Sequence, residues 1–157
     1  MRRIIFLDSG PLGMACHASA KGEALAIQNW ILTESAVGSE IVIPEIVDYE
    51  IRRKLLEREL KASLARLNDL HPKLAFYLPI NTKAMRQAAE LWAQARRGGL
   101  STSGDGSIDG DAILSAQALG YCSDADDWWV ATGNEKHLSR YLGGRARYWR
   151  NIAPPAR

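Results

Sequence analysis

The chain has 157 residues, is 46% hydrophobic and 24% charged, and carries a formal net charge of +2 at pH 7. That length suits a single domain, 1–157, with its own core, and the composition excludes a disordered chain. The near-neutral balance does not declare a nucleic-acid binder, and Cys16 and Cys122 have the spacing of neither a disulfide framework nor a zinc site.

Residues 4–7 (Ile-Ile-Phe-Leu) form an apolar run without alternation, as expected of a strand buried on both faces of a parallel sheet. The run stops at Asp8, too short for a signal peptide or membrane span, so a soluble cytoplasmic protein is expected. Asp8 begins a polar turn, where an acid ordinarily forms the turn or caps a helix. Residues 14–20 have no clear assignment. A helix is expected over 22–37, with Ile27, Trp30 and Ile31 on one side and Gly38-Ser39 closing it.

Residues 41–43 read as a second buried strand, and Pro44 opens a helix with the stripe Val47, Ile51 and Leu55. Glu50 sits at the edge of that stripe, where a surface Glu is ordinary. The mixed charges that follow, from Arg52 to Lys61, read as a solvated face with weak ion pairs. Leu56, Leu60, Leu64, Leu67 and Leu70 carry an apolar line into another helix, more than a small sheet needs. Burial inside the domain is the first explanation, and a partner face the second.

Residues 76–80 predict a third strand, placed at an edge by Pro79. Asn81 or Thr82 caps the next helix, whose apolar face is Met85, Ala88, Ala89, Trp92 and Ala95. A Ser/Gly-rich loop is expected over 100–106. Residues 107–120 then read as a helix with Asp109 as its cap, Asp111 in its first turn and Gly120 as a left-handed C-cap. Its apolar stripe is Ala112, Ile113, Ala116 and Leu119. Residues 128–131 give a fourth strand, ending at Thr132-Gly133-Asn134 before a short helix through Leu142, and 145–152 offers a last edge strand.

Alternating strands and helices predict a three-layer α/β/α fold around a mostly parallel sheet of four to five strands. In such sheets functional groups gather beyond the carboxyl ends of the strands. Asp8, Thr132 and Asn134 leave strands at that edge, Glu50 lies early on the helix after the second strand, and Asp111 starts the helix leading to the fourth. Three crowded carboxylates repel one another unless cations compensate, and hard oxygen donors suit Mg²⁺ or Mn²⁺, which assist phosphodiester hydrolysis.

With these residues the chain resembles the PIN-domain ribonucleases, in particular VapC-type toxins of bacterial toxin–antitoxin pairs. The matching stretches are Leu7-Asp8-Ser9-Gly10-Pro11-Leu12 and Pro44-Glu45-Ile46-Val47-Asp48-Tyr49-Glu50-Ile51-Arg52-Arg53. Asp109-Gly110-Asp111-Ala112-Ile113-Leu114-Ser115-Ala116-Gln117-Ala118 and Val130-Ala131-Thr132-Gly133-Asn134-Glu135-Lys136-His137-Leu138 complete the set. Each is weak alone; four in the family's order, across nearly the whole chain, are fairly specific.

The resemblance implies a PIN-like domain acting as a Mg²⁺- or Mn²⁺-dependent endoribonuclease. It makes Asp8, Glu50 and Asp111 metal ligands and puts Asn134 at the family's fourth acidic position, where a neutral side chain removes a charge. Ser9 and Thr132 would support them, and Asp109 would cap the helix or act as an outer ligand. It also implies an RNA substrate, a cognate antitoxin and a homodimer, with no membrane. Arg52, Arg53, Lys54, Arg96, Arg97, Arg145 and Arg147 are candidates for RNA phosphates, with solvated surface as the competing role. His17, His71 and His137 show no zinc spacing, and His137 is expected to pack or hydrogen-bond. The alternative is a catalytically weak PIN-like module that binds RNA or protein.

Three other readings fail on their own residues. An EF-hand loop starting at Asp105 would have Ala116 where its bidentate Glu belongs. A haloacid-dehalogenase-like phosphatase needs a second Asp where Gly10 stands. A dinucleotide fold needs a glycine fingerprint that Ser9-Gly10-Pro11-Leu12-Gly13 lacks.

Overall fold

Five short apolar runs pair side by side, and all of them point the same way. A computed structural model describes residues 1–99 and 105–155. The strands are β1 (Arg3–Leu7), β2 (Glu40–Pro44), β3 (Phe76–Leu78), β4 (Asp127–Thr132) and β5 (Ala146–Tyr148), in the order β3-β2-β1-β4-β5. Every neighbouring pair is parallel, with Ile5 opposite both Ile41 and Trp129. The helices are α1 (Ser9–Ala15), α2 (Gly22–Ala36), α3 (Glu45–Glu57), α4 (Lys61–Lys73), α5 (Thr82–Arg97), α6 (Asp105–Tyr121) and α7 (Glu135–Leu142). Among the described residues no helix is long and apolar enough to cross a membrane.

Ile4, Ile5, Phe6 and Leu7 are each 0% exposed, so β1 is covered on both faces. Each contributes about 1.5–3 kcal/mol by leaving water, which makes β1 the axis of the core. Right-handed crossovers put α1–α4 on one face of the sheet and α5–α7 on the other. The expected three-layer α/β/α class is therefore the one observed, with five strands.

Several elements differ from expectation. Ser9–Ala15 is a helix, capped by Asp8 and seated on Pro11, Leu12 and Ala15. Its two glycines hide it from a propensity reading, and packing supplies what propensity lacks. α6 begins at Asp105, so Asp109 is an exposed residue within the helix and not its cap. Gly120 lies inside α6 and is absent from the glycines of positive φ, whereas Gly38 (φ 90°) does end α2. The expected loop over 100–106 falls outside the described residues, apart from Asp105 and Gly106, which open α6.

α6 carries no narrow stripe because it is enclosed. Leu114 and Ala118 join the main core, while Ala112 and Ala116 pack on Ala84 and Ala88 of α5. Small residues on both sides let the helices approach closely, and this turns the buried face of α5 onto Ala84 and Ala88. Met85 is left exposed, as is Ala89. Along the leucine line only Leu67 is fully buried, and Leu56 and Leu60 face solvent. Trp149, on the final turn, is buried against Trp30.

Away from these layers, one ion cluster ties the sheet's amino-terminal end together. Arg3 donates to both oxygens of Glu34 (3.1 and 3.2 Å), to Asp127 and to the carbonyl of Ala153. Glu34 is 4% exposed and also accepts from Ser39 Oγ at 2.6 Å. Arg3→Met leaves that carboxylate buried without its cation and is expected to cost about 3–5 kcal/mol in urea unfolding. A loss under about 1 kcal/mol would show that water already neutralises Glu34.

Candidate active site

In strand order the chain moves outward from β1 through β2 to β3, then returns to place β4 on the other side of β1. The carboxyl ends of β1 and β4 therefore flank a topological switch point, where an open α/β sheet leaves a crevice. Asp8 is the first residue past β1, and its N–H still donates to the Ala131 carbonyl of β4 at 2.9 Å. Its carboxylate is held from two sides. Oδ1 accepts from the Ser9 N–H at 2.7 Å, and Oδ2 accepts from Thr132 Oγ1 at 2.7 Å. Thr132 is fully buried, and its hydroxyl oxygen in turn accepts the Asn134 N–H at 3.0 Å. This chain of bonds orients Asp8 and anchors the turn that carries Asn134.

α3 brings the second acid. Glu45 on its first turn accepts from Tyr77 Oη (2.9 Å) and the Ile80 N–H (3.3 Å), and Asp48 is bound by Arg52 (2.8 and 3.0 Å). Glu45 thereby ties α3 to the β3 segment, while Asp48 is engaged by Arg52 within α3 itself. Glu50, one turn on, faces the cleft. α6 supplies Asp111, and Gln117 locks this helix in place by donating to the Leu78 carbonyl at 2.8 Å while accepting the Ile46 N–H at 3.4 Å.

Asp8, Ser9, Glu50, Asp111 and Asn134 thus line one cleft of about 390 Å³, together with Arg53, Lys54, His137 and Leu138. The acids sense each other. Burial, and then the charges of Asp8 and Glu50, push the Asp111 carboxyl up to about 7, with Arg140 opposing. Burial and the charge of Asp8 likewise raise Glu50, against the pull of Arg53 and Lys54. Hard oxygen donors crowded in this way suit a small divalent cation, whose charge offsets the repulsion. Among the described residues no group of three His, Cys, Asp or Glu side chains forms a ready-made ion site.

Other sequence candidates lie elsewhere. Asp109 is exposed on α6 outside the cleft lining, and Arg52 is committed to Asp48 and to Asn68 Oδ1. Arg96 stacks over Trp92, with Arg97 exposed beside it at the end of α5. Arg145 packs over Trp128 and Trp129, and Arg147 is exposed on edge strand β5. Sequence reasoning did not place His137 in the cleft, where its Nδ1 stands 3.9 Å from Asp111 Oδ2, nor did it single out Arg140. Their signal was spacing: three and six residues after Asn134, on one face of α7.

The raised Asp111 carboxyl sets a direction for stability. The folded state keeps this proton to about pH 7, while the unfolded chain releases it near 3.8. The ion-free fold therefore loses stability as pH rises through that window. Asp111→Asn is expected to raise the melting temperature of EDTA-treated protein by roughly 2–6 °C at pH 8, with the gain shrinking toward pH 4. An equal gain at both pH values would assign the effect to packing instead of ionisation.

No family model matches the sequence, and no curated protein matches it. Among solved structures, the chain is similar to a chain of VapBC2 from Rickettsia felis, crystallised bound to a DNA fragment from their promoter. The TM-score is 0.67 at 14% identity, covering 92% of this chain and 97% of that one. The likeness is one of fold, over nearly the full length of both chains, and it agrees with the PIN-like architecture that the four sequence stretches resemble.

Proposed function

We propose that this protein is a Mg²⁺- or Mn²⁺-dependent endoribonuclease and the toxin of a toxin–antitoxin pair. The observation that carries the reading is the meeting of Asp8, Glu50 and Asp111 at the switch point of the sheet, with Arg53 and Lys54 on the same rim. Asp8, fixed by Ser9 and Thr132, would be the preset ligand, and Glu50 of α3 and Asp111 of α6 would complete the donor set. Held there, the ion supplies the positive charge that a phosphodiester's transition state demands and lowers the cost of ionising water. Arg53 and Lys54 hold the substrate's phosphates at the mouth of the cleft. Asn134 assists through its side-chain oxygen, which makes no capping bond to α7.

The fold shared with a VapBC2 chain supports an antitoxin as partner, and cytoplasmic RNA as substrate follows from the same reading. Leu56, near the end of α3, and Leu60, just before α4, keep apolar surface exposed and support a homodimer. A second reading, a catalytically weak module that binds RNA or protein, is favoured by the neutral Asn134.

Purified protein is expected to cut a mixed RNA panel with Mg²⁺ or Mn²⁺ and not with EDTA. Asp8→Asn and Asp111→Asn should each lower the rate by more than about 100-fold while remaining folded. Absence of cutting by folded, antitoxin-free protein that still binds RNA would favour the binding module. Binding itself reports on the rim: Lys54→Ala should weaken it for all sequences and reduce the slope of log K against log salt by about 0.7. An unchanged slope would remove Lys54 from the phosphate path.

A further inference from the structure

Glycine at position 110 is out of place on local grounds. It lies inside α6, one residue before Asp111, at a buried position and without the positive φ that calls for glycine elsewhere in the chain. In the interior of a helix glycine is less favourable than alanine. The reason lies across the cleft. A Cβ built on Gly110 would fall on Glu50 Oε1 and stand 3.2 Å from Glu50 Cδ. The surface of α6 is bare at this residue, and the Glu50 carboxyl occupies the space a side chain would take.

We propose that Gly110 is a positioning residue: its missing side chain is the seat that lets Glu50 of α3 bring its carboxylate over α6 beside Asp111. The inference rests on the ion-site reading for its consequence, although the steric statement stands without it. Glu50 belongs to a helix whose other early acids, Glu45 and Asp48, are held by fixed partners. The Glu50 carboxyl sits in the space that Gly110 leaves open, under the pull of Arg53 and Lys54. Two neighbouring positions on α6 thus act as a unit, Asp111 supplying a carboxylate and Gly110 admitting another. Any side chain at 110 turns Glu50 away from the cleft, and because the displaced atoms end a flexible side chain, the fold survives the change.

α6 offers its own control. Gly120 lies on the same helix with nothing within 4 Å of a built Cβ. Gly110→Ala and Gly120→Ala should both melt at or above the wild-type temperature, since each replaces a helical glycine. Mn²⁺ titration by calorimetry is expected to show at least 10-fold weaker binding for Gly110→Ala and unchanged binding for Gly120→Ala. A folded Gly110→Ala protein with wild-type Mn²⁺ affinity would overturn the inference. Crystal structures of wild type and Gly110→Ala separate the two layers. Failure of the wild type to bind Mn²⁺ would sink the ion-site reading, while a Glu50 carboxyl displaced only in the variant would still uphold the seat. A Glu50 carboxyl in the same position in both structures would overturn it.

Discussion

Like charges held close together must be restrained from both sides, and the cleft above β1 is built around that constraint. Asp8, Glu50 and Asp111 come from three separate elements, and two of them are firmly held. Asp8 is tied at both oxygens by Ser9 and Thr132. Asp111 rides on a helix clamped by the sheet, by α5 and by the hydrogen bonds of Gln117. Their repulsion shows in the raised carboxyls of Asp111 and Glu50, to which burial contributes most. Carboxylates crowded and buried in this way disfavour one another's ionisation, and a cation bound among them would relieve that repulsion.

Rigidity is distributed unevenly around the cleft, and the distribution follows the packing. β1 is buried along nearly its whole length and β4 is buried from Val130 to Thr132, so the turn from Thr132 to Asn134 and the start of α1 move with the core. α3 begins at a buried proline and is secured by Glu45, Asp48 and Val47, but beyond Ile51 its surface opens to solvent. Arg53 and Lys54 lie on that open part. With acids inside the cleft and exposed cations at its rim, an approaching polyanion would meet positive charge first.

Much of this was legible in the chain itself. The continuous apolar runs of β1, β2 and β4 read directly as buried parallel strands, and Asp8 and Thr132 are visible as the polar residues that end two of them. The identities of α1 and of the start of α6 were not. Ser9-Gly10-Pro11-Leu12-Gly13 carries two glycines and a proline, and its helix depends on the Asp8 cap and on the burial of Pro11 and Leu12. Asp105-Gly106 reads as the end of a loop by composition yet opens a helix. α6 also defeats the search for a stripe, because an enclosed helix has no polar face to mark the other one. Gly110 is the clearest case: as a residue it suggests a turn, and only the position of Glu50 explains it.

The proposed function needs three acids from three elements to share one cation. Anomalous diffraction from crystals soaked in Mn²⁺ tests it most directly. A shared ion would give a manganese peak above the carboxyl end of β1, with oxygens of Asp8, Glu50 and Asp111 at about 2.0–2.3 Å. A cleft without manganese in crystals soaked at saturating Mn²⁺, or a peak that excludes Asp8, would contradict it.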